Sequence, residues 1–172
     1  MEETPDWFWE VIEVTRPHVS RLEAWLESQP KTILERFAFG YASAASSLVD
    51  YWQGHTLGLC AGWSEDDTED LCLWVVGQGR AYWASVASGQ RAWADVVDAY
   101  ERHESPPDDG PDEPVQWIHS TNPDYRGSST PDSIADGVYW KRFGEELHGR
   151  INSAGFIDEL SGSSPAPTSL PT

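Results

Sequence analysis

Apolar residues recur along this chain at helical spacing, in short runs cut by Pro, Gly and Ser, and that pattern restricts it to packed helices. Thr4-Pro5-Asp6 is a helix start, with a hydroxyl at the N-cap, Pro at the first helical position and an acid in the first turn. Phe8, Val11, Ile12 and Thr15 follow on one face, and Pro17 closes the segment. Val19, Leu22, Trp25 and Leu26 make a short amphipathic helix. After Ser28-Gln29-Pro30 the pattern restarts, and Ile33, Leu34, Phe37, Tyr41, Ala44, Ala45, Leu48 and Val49 form a long apolar stripe. Between Gly54 and Gly62, Leu57, Leu59 and Cys60 either extend that helix or form a buried turn. Ser64-Glu65-Asp66-Asp67 is a capping-box-like run ahead of Leu71, Trp74 and Val75. Gly77 and Gly79 interrupt the next stretch before Tyr82, Trp83 and Val86. Trp93, Val96, Val97 and Tyr100 supply one more face.

Glu104 to Glu113 reads as loop: Pro106, Pro107, Gly110 and Pro111 forbid a helix, and five acids in it repel one another. Val115 to His119 fits a strand or a docking segment. Thr130-Pro131-Asp132 repeats the opening start signal, and Ile134, Val138, Phe143, Leu147 and Ile151 suggest one last helix. From Ser153 onward the composition is largely Gly, Ser, Pro and Thr, which predicts a disordered tail. At 172 residues and 39% hydrophobic, the chain has material for one core. The expectation is an all-α protein: a single compact multi-helix domain over 1–152, an acidic Pro/Gly-rich loop region at 104–130 within it, and a tail over 153–172.

Charge removes several functions. Lys plus Arg number 11 and Asp plus Glu 29, so 11 − 29 leaves −18 at pH 7. With no basic stripe, direct binding of nucleic-acid phosphates is excluded, and so is electrostatic anchoring to anionic lipid. The acidic start, Met1-Glu2-Glu3, is unlike a signal peptide, and no apolar stretch approaches the roughly 20 residues that span a bilayer. We therefore expect a cytoplasmic protein with no membrane contact. Cys60 and Cys72 are the two cysteines, without a CxxC pair or histidines at metal-ligand spacing, so no metal or cofactor is expected. No phosphate loop follows Gly77 and Gly79, there is no Gly-x-Ser-x-Gly elbow, and His18, His55, His103, His119 and His148 are scattered. Lys141-Arg142 is the one adjacent basic pair and should meet surrounding acids.

Chemistry then concentrates at Ser64 to Asp70. Crowded carboxylates raise one another's pKa, and one of them can then act as general acid or base. The plainer alternative is that these acids stabilise a helix N-terminus. Ten Trp residues suggest either a helical core or rings lining a pocket. Trp74 and Trp93 lie on apolar faces and belong to the core. Trp7 and Trp9 sit two apart and cannot share a face, so one of them should be exposed or in an interface. Trp63, just before the acids, is the ring best placed beside a ligand. The aromatic surplus also makes a homodimer an expectation to test.

The run from Gly62 to Trp83 resembles the bacterial domain-of-unknown-function family 4240, whose pattern is roughly Ser-Asp-Asp, an aromatic, then Phe-Arg-x-Trp-Leu-Ile, two residues, and Gly. Ser64, Glu65, Asp66, Trp74, Val75, Val76 and Gly79 fall in register, and the Phe8-Trp9 start and Tyr51-Trp52 are also similar. The likeness covers roughly residues 7–100. Here the first Asp is Glu65, the aromatic is Thr68 and the Arg is Cys72, which removes a natural partner for the carboxylates. The family implies no established activity. Two functional expectations remain. In the first, an acidic, Trp-rich interaction protein of regulatory, immunity or nucleic-acid-mimic type binds a basic protein partner. In the second, a small tailoring enzyme or ligand-binding protein holds a cationic or aromatic small molecule in a Trp-lined pocket. Glu65 and Asp66 would be its general acid and base, and Trp63, Ser64, Asp67 and Tyr82 its binding residues.

Overall fold

A computed structural model describes residues 4–16, 18–48, 64–104 (side chains only to 101), 130–152, 166–167 and 169–171. Among them are eight helices and no strand: α1 (Asp6–Thr15), α2 (Val19–Ser28), α3 (Lys31–Ser46), α4 (Glu65–Gly77), α5 (Arg80–Ala87), α6 (Trp93–Glu104), α7 (Pro131–Phe143) and α8 (Leu147–Ile151). The fold is all-α. No helix among these residues is long and apolar enough to cross a membrane.

The central element is α3, which packs against α4, α7 and α8, while α2 lies on α7 and α1 on α2. Its stripe explains this. Ile33, Leu34, Phe37, Tyr41, Ala44 and Ala45 are all buried along one side, and Leu48 is half-buried just past the helix end. Phe8 of α1 inserts there, its ring 5.4 Å from Phe37, 6.1 Å from Tyr41 and 5.0 Å from Trp9. Gly40 permits the approach, since a Cβ at that position would stand 3.3 Å from the Phe8 ring. Each such fully buried Phe, Leu or Ile contributes about 1.5–3 kcal/mol. Trp9 is buried and Trp7 half-buried against Trp25, so the two rings do divide between interior and surface.

A second, smaller cluster joins Leu71 and Val75 of α4 to Val86 of α5 and Val96 and Val97 of α6, rimmed by half-buried Trp74, Tyr82, Trp83, Trp93 and Tyr100. Trp74 and Trp93 thus pack on the core but keep an open edge. The two clusters meet along α4, whose Cys72 and Val76 face α3.

Two boundaries and one side-chain pairing differ from the sequence expectation. Pro5 is itself the N-cap of α1, with ψ 150°, so the helix begins at Asp6, one residue late. The expected last helix is two, because Gly144 adopts the left-handed conformation (φ 67°) that ends α7 before α8 turns back. Arg142 does not meet an acid: its guanidinium donates to the carbonyls of Leu26 (3.0 Å) and Gln29 (2.6 Å) at the end of α2, where the Leu26 carbonyl also accepts the Gln29 backbone N–H. Lys141 does pair with an acid, Glu27, at 2.6 Å. The Gly54–Gly62 segment, the Val115–His119 piece and most of the 104–130 loop lie outside the described residues, although Glu104 still belongs to α6. Of the 153–172 tail, the described residues are 166–167 and 169–171, and Trp25 donates its indole N–H to the Ser169 carbonyl at 2.9 Å.

Candidate functional site

The start of α4 is built as the Ser64 run implies. The Asp67 backbone N–H donates to Ser64 Oγ at 3.2 Å, while Asp67 Oδ2 accepts from the Ser64 backbone N–H at 2.6 Å and from its hydroxyl at 2.7 Å. This reciprocal pair satisfies amides that a helix start otherwise leaves without partners. The Ser64 N–H and hydroxyl both stabilise the charged form, which holds the Asp67 carboxyl below its ordinary value. Behind the cap, Thr68 is buried and donates its hydroxyl to the Ser64 carbonyl at 3.0 Å. Asp67 is therefore a capping residue, and Ser64 its partner.

The other acids of the run are placed differently. Glu65 is half-buried, while Asp66, Glu69 and Asp70 are exposed. Among the described residues, Glu65, Asp66 and Glu69 form no ion pair. Tyr82 is not brought to them: its ring packs edge-on against Trp74 at 5.7 Å, and the Arg91 guanidinium lies over it, 4.4 Å from the ring centroid. Trp74 stands nine residues after Glu65, about 13 Å further along the helix axis. Trp63 lies outside the described residues. On α6, which packs against α4, Asp95, Asp98 and Glu101 are also exposed. The sequence carries no Lys or Arg over 37–79 or 92–101. Glu65, Asp66 and the α6 acids therefore place anionic charge on two helices that pack together. Among the described residues, no three of His, Cys, Asp and Glu are grouped so as to hold a metal ion.

A second polar cluster was not legible in the sequence. Glu35, 4% exposed on α3, accepts from the Tyr139 hydroxyl (2.8 Å) and from Arg150 Nε (3.2 Å). Beside it Lys31 pairs with Glu145 at 2.7 Å and lies 5.4 and 5.3 Å from the Tyr139 and Phe143 ring centroids. Burial, and then the bond to Glu35, push the Tyr139 hydroxyl well above its usual range, so it stays protonated and donates. Lys31 holds the Glu145 carboxyl below its ordinary value. Each of these groups is already paired, so the cluster ties α3, α7 and α8 together. Its partners are more than a hundred residues apart, and no local pattern announces them.

Asp132, in the first turn of α7, is half-buried with an Oδ1 atom that is out of solvent contact and, among the described residues, has no hydrogen-bond partner. Burial raises its pKa. Compared with protein-family models, curated proteins and solved structures, the chain shows no significant match to any of them.

Proposed function

We propose that the acidic surface of α4 and α6 docks a basic protein partner, and that the chain works as an interaction protein of regulatory, immunity or nucleic-acid-mimic type. One observation carries this reading: acids outnumber cations along that stretch of the sequence, and those of α4 and α6 lie largely at the surface. Over residues 37–101 the sequence holds two cations, Arg80 and Arg91, against nine acids, so 2 − 9 leaves −7. Arg80 is turned to Asp6 of α1 at 2.6 Å, and Arg91 lies over the Tyr82 ring. An excess of like charge lowers stability but speeds and orients encounter with a basic surface.

The other reading of these residues needs aromatic walls around Glu65 and Asp66. Tyr82 stands beyond Trp74 and Asp67 is held in the cap, so the geometry favours docking. The resemblance to family 4240 brings no activity that would alter this. The test is fluorescence anisotropy with a labelled ten-residue oligolysine peptide at several salt concentrations. Replacing Glu65→Gln, Asp66→Asn and Glu69→Gln together should weaken binding roughly tenfold. Removing the same charge at Glu10, Asp136 and Glu146 should change it much less. Equal losses in the two variants would make the charge a matter of solubility alone.

A further inference from the structure

Trp25 is 4% exposed on α2, yet its polar edge is engaged by a segment 144 residues away: the indole Nε1–H donates to the Ser169 carbonyl. Trp7 of α1 stands beside it, half-buried, with ring centroids 6.5 Å apart and planes inclined by 36°. Two indoles from adjacent helices thus form a wall with a hydrogen-bond donor in it.

The chemistry of the segment fits that wall. It reads Pro165-Ala166-Pro167-Thr168-Ser169-Leu170-Pro171. Each Pro fixes its own φ and lacks an N–H, and Ala166 and Leu170, each preceding a Pro, are driven to extended conformations. Such a chain makes no internal hydrogen bonds, so its carbonyls seek external donors, and it loses little entropy on docking. The burial pattern agrees. Pro167 and Pro171 are half-buried while Ala166, Ser169 and Leu170 are exposed, so the prolines are the covered residues. Flat aromatic rings plus an N–H donor are the general means by which proline-rich segments are recognised.

We propose that the Trp7–Trp25 wall is a docking groove for proline-rich extended segments, occupied here by the segment that carries Pro167, Ser169 and Pro171, which acts as a resident competitor against a partner's segment of the same chemistry. Among the described residues the segment is held by one side-chain hydrogen bond and its prolines stay half-exposed, which makes it displaceable. The groove is built on α1 and α2, so this inference does not rest on the acidic surface of α4 and α6.

The experiment titrates a labelled synthetic peptide, Ser-Pro-Ala-Pro-Thr-Ser-Leu-Pro, into the full chain and into the full chain carrying Pro167→Gly and Pro171→Gly. Anisotropy should show the released chain binding about tenfold tighter than the native one. Adding Trp25→Phe, which keeps a ring but removes the donor, should weaken that binding about fivefold. Because Trp25→Phe disturbs a buried site, a peptide with its prolines changed to glycine provides a control on an unaltered protein, and it should bind much more weakly. Equal affinity for the native and released chains would overturn the proposal. So would a glycine peptide that binds as well as the proline one, or an absence of binding to either chain. Sedimentation over a range of concentrations should show no self-association that depends on Pro167 and Pro171; if it did, the segment would fill a second copy's groove and the resident-competitor assignment would fail. Glu65→Gln, Asp66→Asn and Glu69→Gln together should leave peptide binding unchanged, which keeps this result separable from the docking of a basic partner.

Discussion

The bundle around α3 and the α4–α6 region solve the same problem with different means. In the bundle, complete rings are removed from water: Phe8, Phe37, Tyr41 and Tyr139 are 0% exposed, and cations from one helix meet acids or carbonyls of another, as Lys31, Arg142 and Arg150 do. In the smaller cluster of α4 to α6 the buried apolar side chains are Leu and Val, the rings sit at the rim, and exposed acids face water. A core of small aliphatic residues removes less apolar area, and an excess of like charge subtracts from what remains. The lesson is a division of labour, with stability concentrated around α3 and surface charge left to the smaller region.

The largest test contrasts the two cores. Phe8→Ala should cost about 3–5 kcal/mol, because its cavity is walled by Trp9, Phe37 and Tyr41 and cannot collapse. Val96→Ala should cost roughly 1.5 kcal/mol, the loss of two methylene equivalents. Urea unfolding of both measures the difference, and equal losses would break the comparison. Next is the joint between the regions. Gly79 has φ 92°, and a Cβ there would run into the Glu13 carboxylate, which accepts the Arg80 backbone N–H at 3.1 Å and so caps α5 from α1. Gly79→Ala should cost about 1–2 kcal/mol by the same measurement.

Smaller still is the cap of α4. Ser64→Ala should cost about 1 kcal/mol at pH 7. The Asp67 pKa is lowered, so its contribution is present above the ordinary carboxylate range and is lost as pH falls through the lowered value. Thermal melts of native and Ser64→Ala protein should therefore converge in acid. The smallest expected effect is at Asp132, whose pKa is raised. A raised acid favours the folded state most below its ordinary value and loses that advantage as pH rises through the raised one. Asp132→Asn should accordingly melt slightly higher than the native protein near pH 7, and the gap should close as pH falls.

Where a helix carries its own punctuation, the sequence was sufficient. Pro30 before α3, Ser64 before α4, Gly77 and Gly79 between α4 and α5, and Thr130-Pro131 before α7 all mark real boundaries, because caps and breakers act over a few residues. Gly144 does not stand out in the sequence because Leu147 and Ile151 keep the helical spacing across it, and periodicity alone cannot detect a left-handed residue. At the candidate site, the pairing of Ser64 with Asp67 was legible for the same local reason. The separation of Tyr82 from Glu65 was not, since it depends on how α5 folds back along α4. The Glu35 cluster and the contact of Trp25 with Ser169 join residues over a hundred positions apart, and their geometry exists only once α2, α3, α7 and α8 have packed.

One buried thiol turns the seam between the two regions into something that can be timed. Cys72 sits in the face of α4 that meets α3, and burial, reinforced by Glu69, pushes its thiol up to about 12. It carries almost no thiolate at neutral pH and is shielded from reagents while the helices stay docked. In a Cys60→Ser background, the rate at which a disulfide reagent modifies it becomes a clock for α4 lifting from α3.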